Sequence, residues 1–193
     1  MNEQDWESRM VDLIFKARSR RRKYASFNEW PDKSIKEKSI VLDLLEAMTT
    51  QDEDHGITRI CAFQPDPPDC TGIDSDGKLV AFEVSELVDQ DTILRNEYGH
   101  DDWKEWSEEE LLEKIREVVK KKDAKKFHGG PYSKIILVIH TDEPLLRLTD
   151  CVSALAGQIV GQCRQITDCY LLMSYSPGLK SYPYFRLAVS MLV

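Results

Sequence analysis

Ile135-Ile136-Leu137-Val138-Ile139 is an apolar run with no polar interruption. A strand with one wet face alternates apolar and polar residues. A run without alternation needs cover on both faces, as in a parallel sheet enclosed by helices. The flanking segments supply that cover. Ser107 with Glu110 makes a capping box that opens a helix, and Leu111, Ile115, Val118 and Val119 form its inner stripe. Gly129-Gly130-Pro131 breaks the chain before the run. After it, Leu148, Val152, Leu155, Ile159, Cys163 and Ile166 predict a further amphipathic helix over 148–166. Residues 170–173 read as another buried strand and 185–193 as a final one. The expected fold is α/β, with a mixed central sheet flanked by helices.

The N-terminal part reads as two helices. Trp6, Met10, Leu13, Ile14 and Ala17 repeat at helical spacing over 5–23. The basic cluster Arg18, Arg20, Arg21, Arg22 and Lys23 suits the C-terminal end of that helix's dipole. Asn28 and Pro31 mark a loop. The second helix is expected over 35–49. Ser34 and Glu37 form its capping box, and Ile40, Val41, Leu44, Leu45 and Met48 form its buried stripe. Residues 57–63 read as a short strand. Residues 89–106 are polar but carry Tyr98, Trp103 and Trp106; the segment is long for a connection and reads as a functional loop or a partly ordered insertion. Residues 1–193 are read as a single domain: an N-terminal helical extension (1–33), a core (34–175) and a C-terminal strand (176–193).

Between the second helix and the apolar run lies a hairpin. The turn Pro65-Asp66-Pro67-Pro68 leads into it, and Ser75-Asp76-Gly77 fits a three-residue loop with glycine in the left-handed position. Residues 74 and 78 then flank the loop, and pairing outward brings Asp69 opposite Glu83. Directly opposed residues share a face, with Cβ atoms ~5 Å apart. Alternation puts Val80, Phe82 and Val84 on one side and Ala81, Glu83 and Ser85 on the other. Two carboxylates so close repel unless a cation sits between them. A hard divalent ion is the usual solution. The competing reading is a solvated hairpin with acidic residues near its turn. Pro68 and the apolar strand around Glu83 oppose it.

Composition narrows the functional classes. The five cysteines show no CxxC spacing, so zinc and a disulfide framework are not expected and a reducing, cytoplasmic setting is. No apolar run approaches the ~18 residues of a membrane span, so no membrane association is expected. The formal charge of −8 disfavours constitutive tight binding to nucleic acid, because phosphate neutralisation drives that affinity. Lys120, Lys121, Lys122, Lys125 and Lys126 form a second basic cluster, whose ordinary reading is a solvated helix end. His55, His100, His128 and His140 show no ligand spacing, and Cys70 has no paired base.

Pro68-Asp69 followed by Glu83-Val84-Ser85, set in the order helix, strand, hairpin, helix, buried strand, resembles the PD-(D/E)XK (restriction-endonuclease-like) nuclease superfamily over roughly 34–175. The resemblance implies a restriction-endonuclease-like core that hydrolyses phosphodiester bonds of DNA or RNA. It further implies Mg²⁺ or Mn²⁺ held by Asp69 and Glu83, and a lysine that polarises the attacking water. A glutamate from the preceding helix often joins such a site. Glu37 has that position, and its other reading is the capping box with Ser34. The sequence departs from the motif at the lysine, where Ser85 stands. Glu86 follows, but alternation turns it to the opposite face unless the strand is bulged. Lys122 and Lys126 continue the inner stripe of their helix, four residues apart, and could supply the missing cation. The alternative is a catalytically inactive nuclease-fold protein that serves as a binding or regulatory module for a protein or nucleic-acid partner. The missing lysine and the negative charge favour it, and the paired carboxylates favour the enzyme.

Overall fold

The computed structural model describes Ala25 and residues 32–192. The helix expected over 5–23, with its basic cluster, lies outside the described residues. The described chain is α/β. Its elements are α1 (Lys33–Thr50), β1 (Thr58–Ala62), β2 (Cys70–Ile73), β3 (Leu79–Glu86), α2 (Gln90–Glu97), α3 (Glu108–Asp123), β4 (Lys134–Thr141), α4 (Leu148–Leu155), β5 (Ile159–Cys163), β6 (Asp168–Met173) and β7 (Tyr184–Met191). The strands form one seven-stranded mixed sheet in the order β1-β2-β3-β4-β6-β7-β5. β3, β4 and β6 run parallel at its centre, with antiparallel β2 and β1 on one side. On the other side β7 is antiparallel to β6, and β5 is parallel to β7.

β4 shows why the apolar run has no alternation. Ile136 and Val138 pack on one face with Ile40, Val41, Leu44, Leu45 and Met48 of α1. Leu137 and Ile139 pack on the other with Leu111, Ile115 and Val119 of α3 and with Cys151, Ala154 and Leu155 of α4. Both faces are dry, so every position favours an apolar side chain. β3 divides in the same way. Val80, Phe82 and Val84 face α1, which leaves the opposite face to Glu83.

The hairpin has the expected register. Cys70 pairs with Phe82 and Ile73 with Leu79. Asp74 N–H bonds Lys78 O, Gly77 N–H bonds Asp74 O, and Gly77 has φ +78°.

Three expectations are corrected. First, the helix expected over 148–166 stops at Leu155. Gly157 (φ +74°) turns the chain out of the helix, and Ile159–Cys163 is strand β5. The helical stripe fails at Ile159, which is 55% exposed, while Val160 is buried. Second, the expected loop 89–106 contains α2. Asp89 caps it by accepting from Thr92 N–H at 2.9 Å and Thr92 Oγ1 at 2.6 Å. Third, α1 begins at Lys33 with Asp32 as its N-cap, not Ser34. Asp32 Oδ1 accepts from Ser34 N–H at 2.8 Å. A charged carboxylate is the stronger acceptor for orphan N–H groups, and this releases Glu37 from a capping role. Among the described residues no helix is long and apolar enough to cross a membrane.

Candidate active site

The turn before β2 and the middle of β3 build the site. Asp69 extends β2 by one residue. Its N–H donates to Phe82 O at 3.0 Å, and its carbonyl accepts from Phe63 N–H at 3.0 Å. Its side chain is tied to the next strand, with Oδ2 accepting from Val84 N–H at 2.7 Å. Glu83 lies on the face of β3 turned from α1 and is fully buried. Asp66, three residues before Asp69 in the proline turn, completes the cluster. One carboxylate oxygen from each of Asp66, Asp69 and Glu83 lies within 4.8 Å of the others.

Three lysines converge on these acids. Lys122, in the last turn of α3, donates to Glu83 Oε1 at 2.7 Å and to Val84 O at 2.7 Å. Lys125, just past the helix, donates to the same Glu83 Oε1 at 2.7 Å and lies 3.5 Å from Asp66 Oδ1. Lys33 of α1 lies 2.8 Å from Asp66 Oδ2, 3.2 Å from Glu37 Oε1 and 3.8 Å from Asp69 Oδ1. Glu83 Oε2 is buried and has no hydrogen-bond partner among the described residues. The site thus holds Glu37, Asp66, Asp69 and Glu83 against Lys33, Lys122 and Lys125.

The environment shifts these groups in different directions. Burial, and then the negative charge of Asp69, push Glu37 up to about 7. Burial also raises Asp69, against the stabilising Val84 N–H, and Glu83 adds to the rise. Lys33 lowers Asp66 by bonding it, and Asp66 in turn raises Lys33. Burial opposes the charge on Lys125, but Glu83, Asp66 and Asp69 outweigh it and leave its pKa raised. Burial pushes the Cys70 thiol up to about 12, so it is no nucleophile at neutral pH.

Of the residues the sequence singles out, Asp69, Glu83, Glu37 and Lys122 come together. Lys126 does not. It is exposed beyond the end of α3 and makes no contact with the cluster among those described. Glu86 points to the α1 face, as alternation requires, and pairs with Lys36 at 3.5 Å. Sequence reasoning missed Asp66, Lys33 and Lys125. Lys33 stands four residues before Glu37, a spacing that signals an ion pair on a helix. Asp66 left the weaker signal of a second acid in a proline turn.

The hard-oxygen donor set fits a divalent cation. Mg²⁺ and Mn²⁺ take carboxylate oxygens, and Glu83 Oε2, unpartnered among the described residues, offers a lone pair to such an ion. Comparison with known proteins finds no match: no family model, no curated protein and no solved structure is similar to the chain at a significant level.

Proposed function

We propose that the chain is a metal-dependent nuclease with a restriction-endonuclease-like core, hydrolysing phosphodiester bonds of DNA or RNA. The buried, unpartnered Glu83 Oε2, in a carboxylate cluster that includes Asp69, carries the reading. Leaving a charged oxygen buried and unpaired is expensive, and a site that keeps one has a use for it. Asp69, Glu83 and Asp66 would hold Mg²⁺ or Mn²⁺, whose chemistry is to acidify water and offset charge on a phosphate. Asp69 is oriented for this by Val84 N–H, and Glu83 by Lys122. Lys122 and Lys125 bring the positive charge that Ser85 cannot. Either ammonium can orient an attacking water or face the non-bridging phosphate oxygens. Glu37, up at about 7, is placed to take up a proton near neutrality.

One observation favours the second reading, an inactive binding or regulatory module on the same fold. Three lysines already neutralise most of the cluster, so these acids hold together without a metal. Incubation of the purified chain with single- and double-stranded DNA and RNA, with and without Mg²⁺ or Mn²⁺, separates the two. The nuclease reading expects metal-dependent cleavage that Glu83→Gln abolishes. No cleavage of any of the four substrates would leave the binding module.

A further inference from the structure

A second feature lies on the other side of the turn that carries Lys125. Between α3 and the edge strand β5 runs an open groove of about 810 Å³, lined by Arg116, Val119 and Lys120 on the helix side and by β5 and Arg164 opposite. Its floor is apolar, from the exposed side chains of Ile159 and Leu192, with Val119 and Val160 buried beneath. Its cations are Arg116, Lys120 and Arg164, all exposed. None of the three makes an ion pair among the described residues, and Arg116 reaches only Ile159 O, at 3.4 Å. The single acid of the groove, Asp123, is already satisfied. It accepts from Arg164 N–H at 2.8 Å, Gln165 N–H at 2.9 Å and Ile166 N–H at 3.0 Å. Three unpaired cations in one groove, on a chain of net charge −8, mark a place for a polyanion.

The groove and the carboxylate site share a wall. At the end of α3, Asp123 and the following Ala124 line the groove, while Lys122 and, just past the helix, Lys125 bind Glu83. Gln165, a groove residue, donates through Nε2 to Asp123 O at 2.8 Å and Lys125 O at 2.9 Å. We propose that a single strand of nucleic acid lies in this groove, its phosphates on Arg116, Lys120 and Arg164 and its bases over the apolar floor. The inference rests on the nuclease reading and names its substrate class. A duplex keeps its base faces stacked, whereas an unpaired strand can lay them on the exposed Ile159 and Leu192 and on the guanidinium planes of Arg116 and Arg164.

The test is fluorescence anisotropy of the full chain with a labelled oligothymidine, in chelator and across a salt series, for wild type and the combined Arg116→Ala, Lys120→Ala and Arg164→Ala variant. All three side chains are exposed, so the variant keeps the fold, and an unchanged melting temperature verifies it. Each lost phosphate contact lowers the salt slope by ~0.7 for a single strand, so the slope falls by about 2. Affinity falls at least tenfold, and hydrolysis of bis(p-nitrophenyl) phosphate with Mn²⁺ is unchanged. A wild type that cleaves, with variant affinity and slope unaltered, overturns the groove alone. A duplex of equal length bound more tightly overturns the single strand. Equal displacement by polyglutamate overturns the nucleic acid in favour of an acidic chain. A wild type that binds the strand through these residues yet hydrolyses nothing supports the groove and removes the enzyme. A wild type that neither binds nor hydrolyses removes both.

Discussion

Glu83 is fully buried, with two ammonium groups on Oε1 and, among the described residues, none on Oε2. The lysines around it differ in attachment, which ranks their loss. Lys122 makes two short bonds, to Glu83 and to the Val84 carbonyl. Lys125 is more exposed and bridges Glu83 and Asp66. We expect Lys122→Ala to destabilise by about 1.5–3 kcal/mol, the range for a hydrogen bond to a charged group. Lys125→Ala should lose less, and Lys126→Ala should stay within about 0.5 kcal/mol of wild type. Chemical denaturation orders the three, and a Lys126 effect as large as that of Lys122 would refute the placement. Glu37 gives a pH prediction. Its folded pKa, about 7, lies above the ordinary value of 4.5. The neutral form is therefore favoured by folding, and this contribution is present below pH 4.5 and lost as pH rises through about 7. Glu37→Gln should flatten that part of the stability profile and raise the melting temperature most above pH 7. A variant profile parallel to wild type would contradict it. The Asp69–Glu83 pair was legible because a short loop fixes hairpin register, and register fixes face. Asp66 and Lys125 were not, because a proline turn and a post-helical turn follow no period.

At the scale of elements, β5 decides between two readings of one segment. The spacing of Leu148, Val152, Leu155, Ile159 and Cys163 is helical, yet the chain leaves the helix at Gly157 and enters a strand. Gly161 shows why a strand fits there. A Cβ built on it would lie 2.5 Å from Val119 Cγ1, so β5 approaches α3 more closely than any other residue allows. Gly161→Ala separates the readings by sign. In a helix the change would stabilise by about 1 kcal/mol. Against the stiff Val119 side chain it should destabilise by about 1–3 kcal/mol. Thermal or chemical unfolding of the single variant gives the answer. The rest of the sheet was readable for a simple reason: β3, β4 and β6 carry patterns that only burial on one or both faces explains. β5 is an edge strand of five residues with a glycine at its centre, so neither period marks it. α2 was overlooked because it buries only Thr92 and Ile93, too few for a stripe. Its signal was the cap, Asp89 three residues before Thr92.

For the molecule as a whole, metal binding and folding should be linked. A cation that binds the folded carboxylate cluster and not the unfolded chain stabilises by about 2.7 kcal/mol at one hundred times its dissociation constant. For a chain of this length that corresponds to a rise in melting temperature of roughly 5–10 °C. The rise should grow with pH, because Glu37 and Asp69 both hold protons above their ordinary values and a cation must displace them. Two substitutions at Asp69 isolate the effect. Asp69→Ala removes the charge but also strands the Val84 N–H, which Oδ2 now accepts at 2.7 Å, so it should lose about 1–3 kcal/mol in chelator. Asp69→Asn keeps an oxygen for that N–H and removes only the charge. The repulsion from Glu83 and the burial of a carboxylate both vanish with it, so the Asn variant should match or exceed wild type in chelator. Neither variant should respond to Mg²⁺ or Mn²⁺. Differential scanning fluorimetry of the three proteins at pH 6 and pH 8, with chelator, Mg²⁺ and Mn²⁺, measures all of this together. A metal response kept in both variants would place the ion elsewhere. No response in the wild type at either pH would mean that Lys33, Lys122 and Lys125 are the only cations the cluster accepts, and the binding-module reading would stand in the nuclease's place.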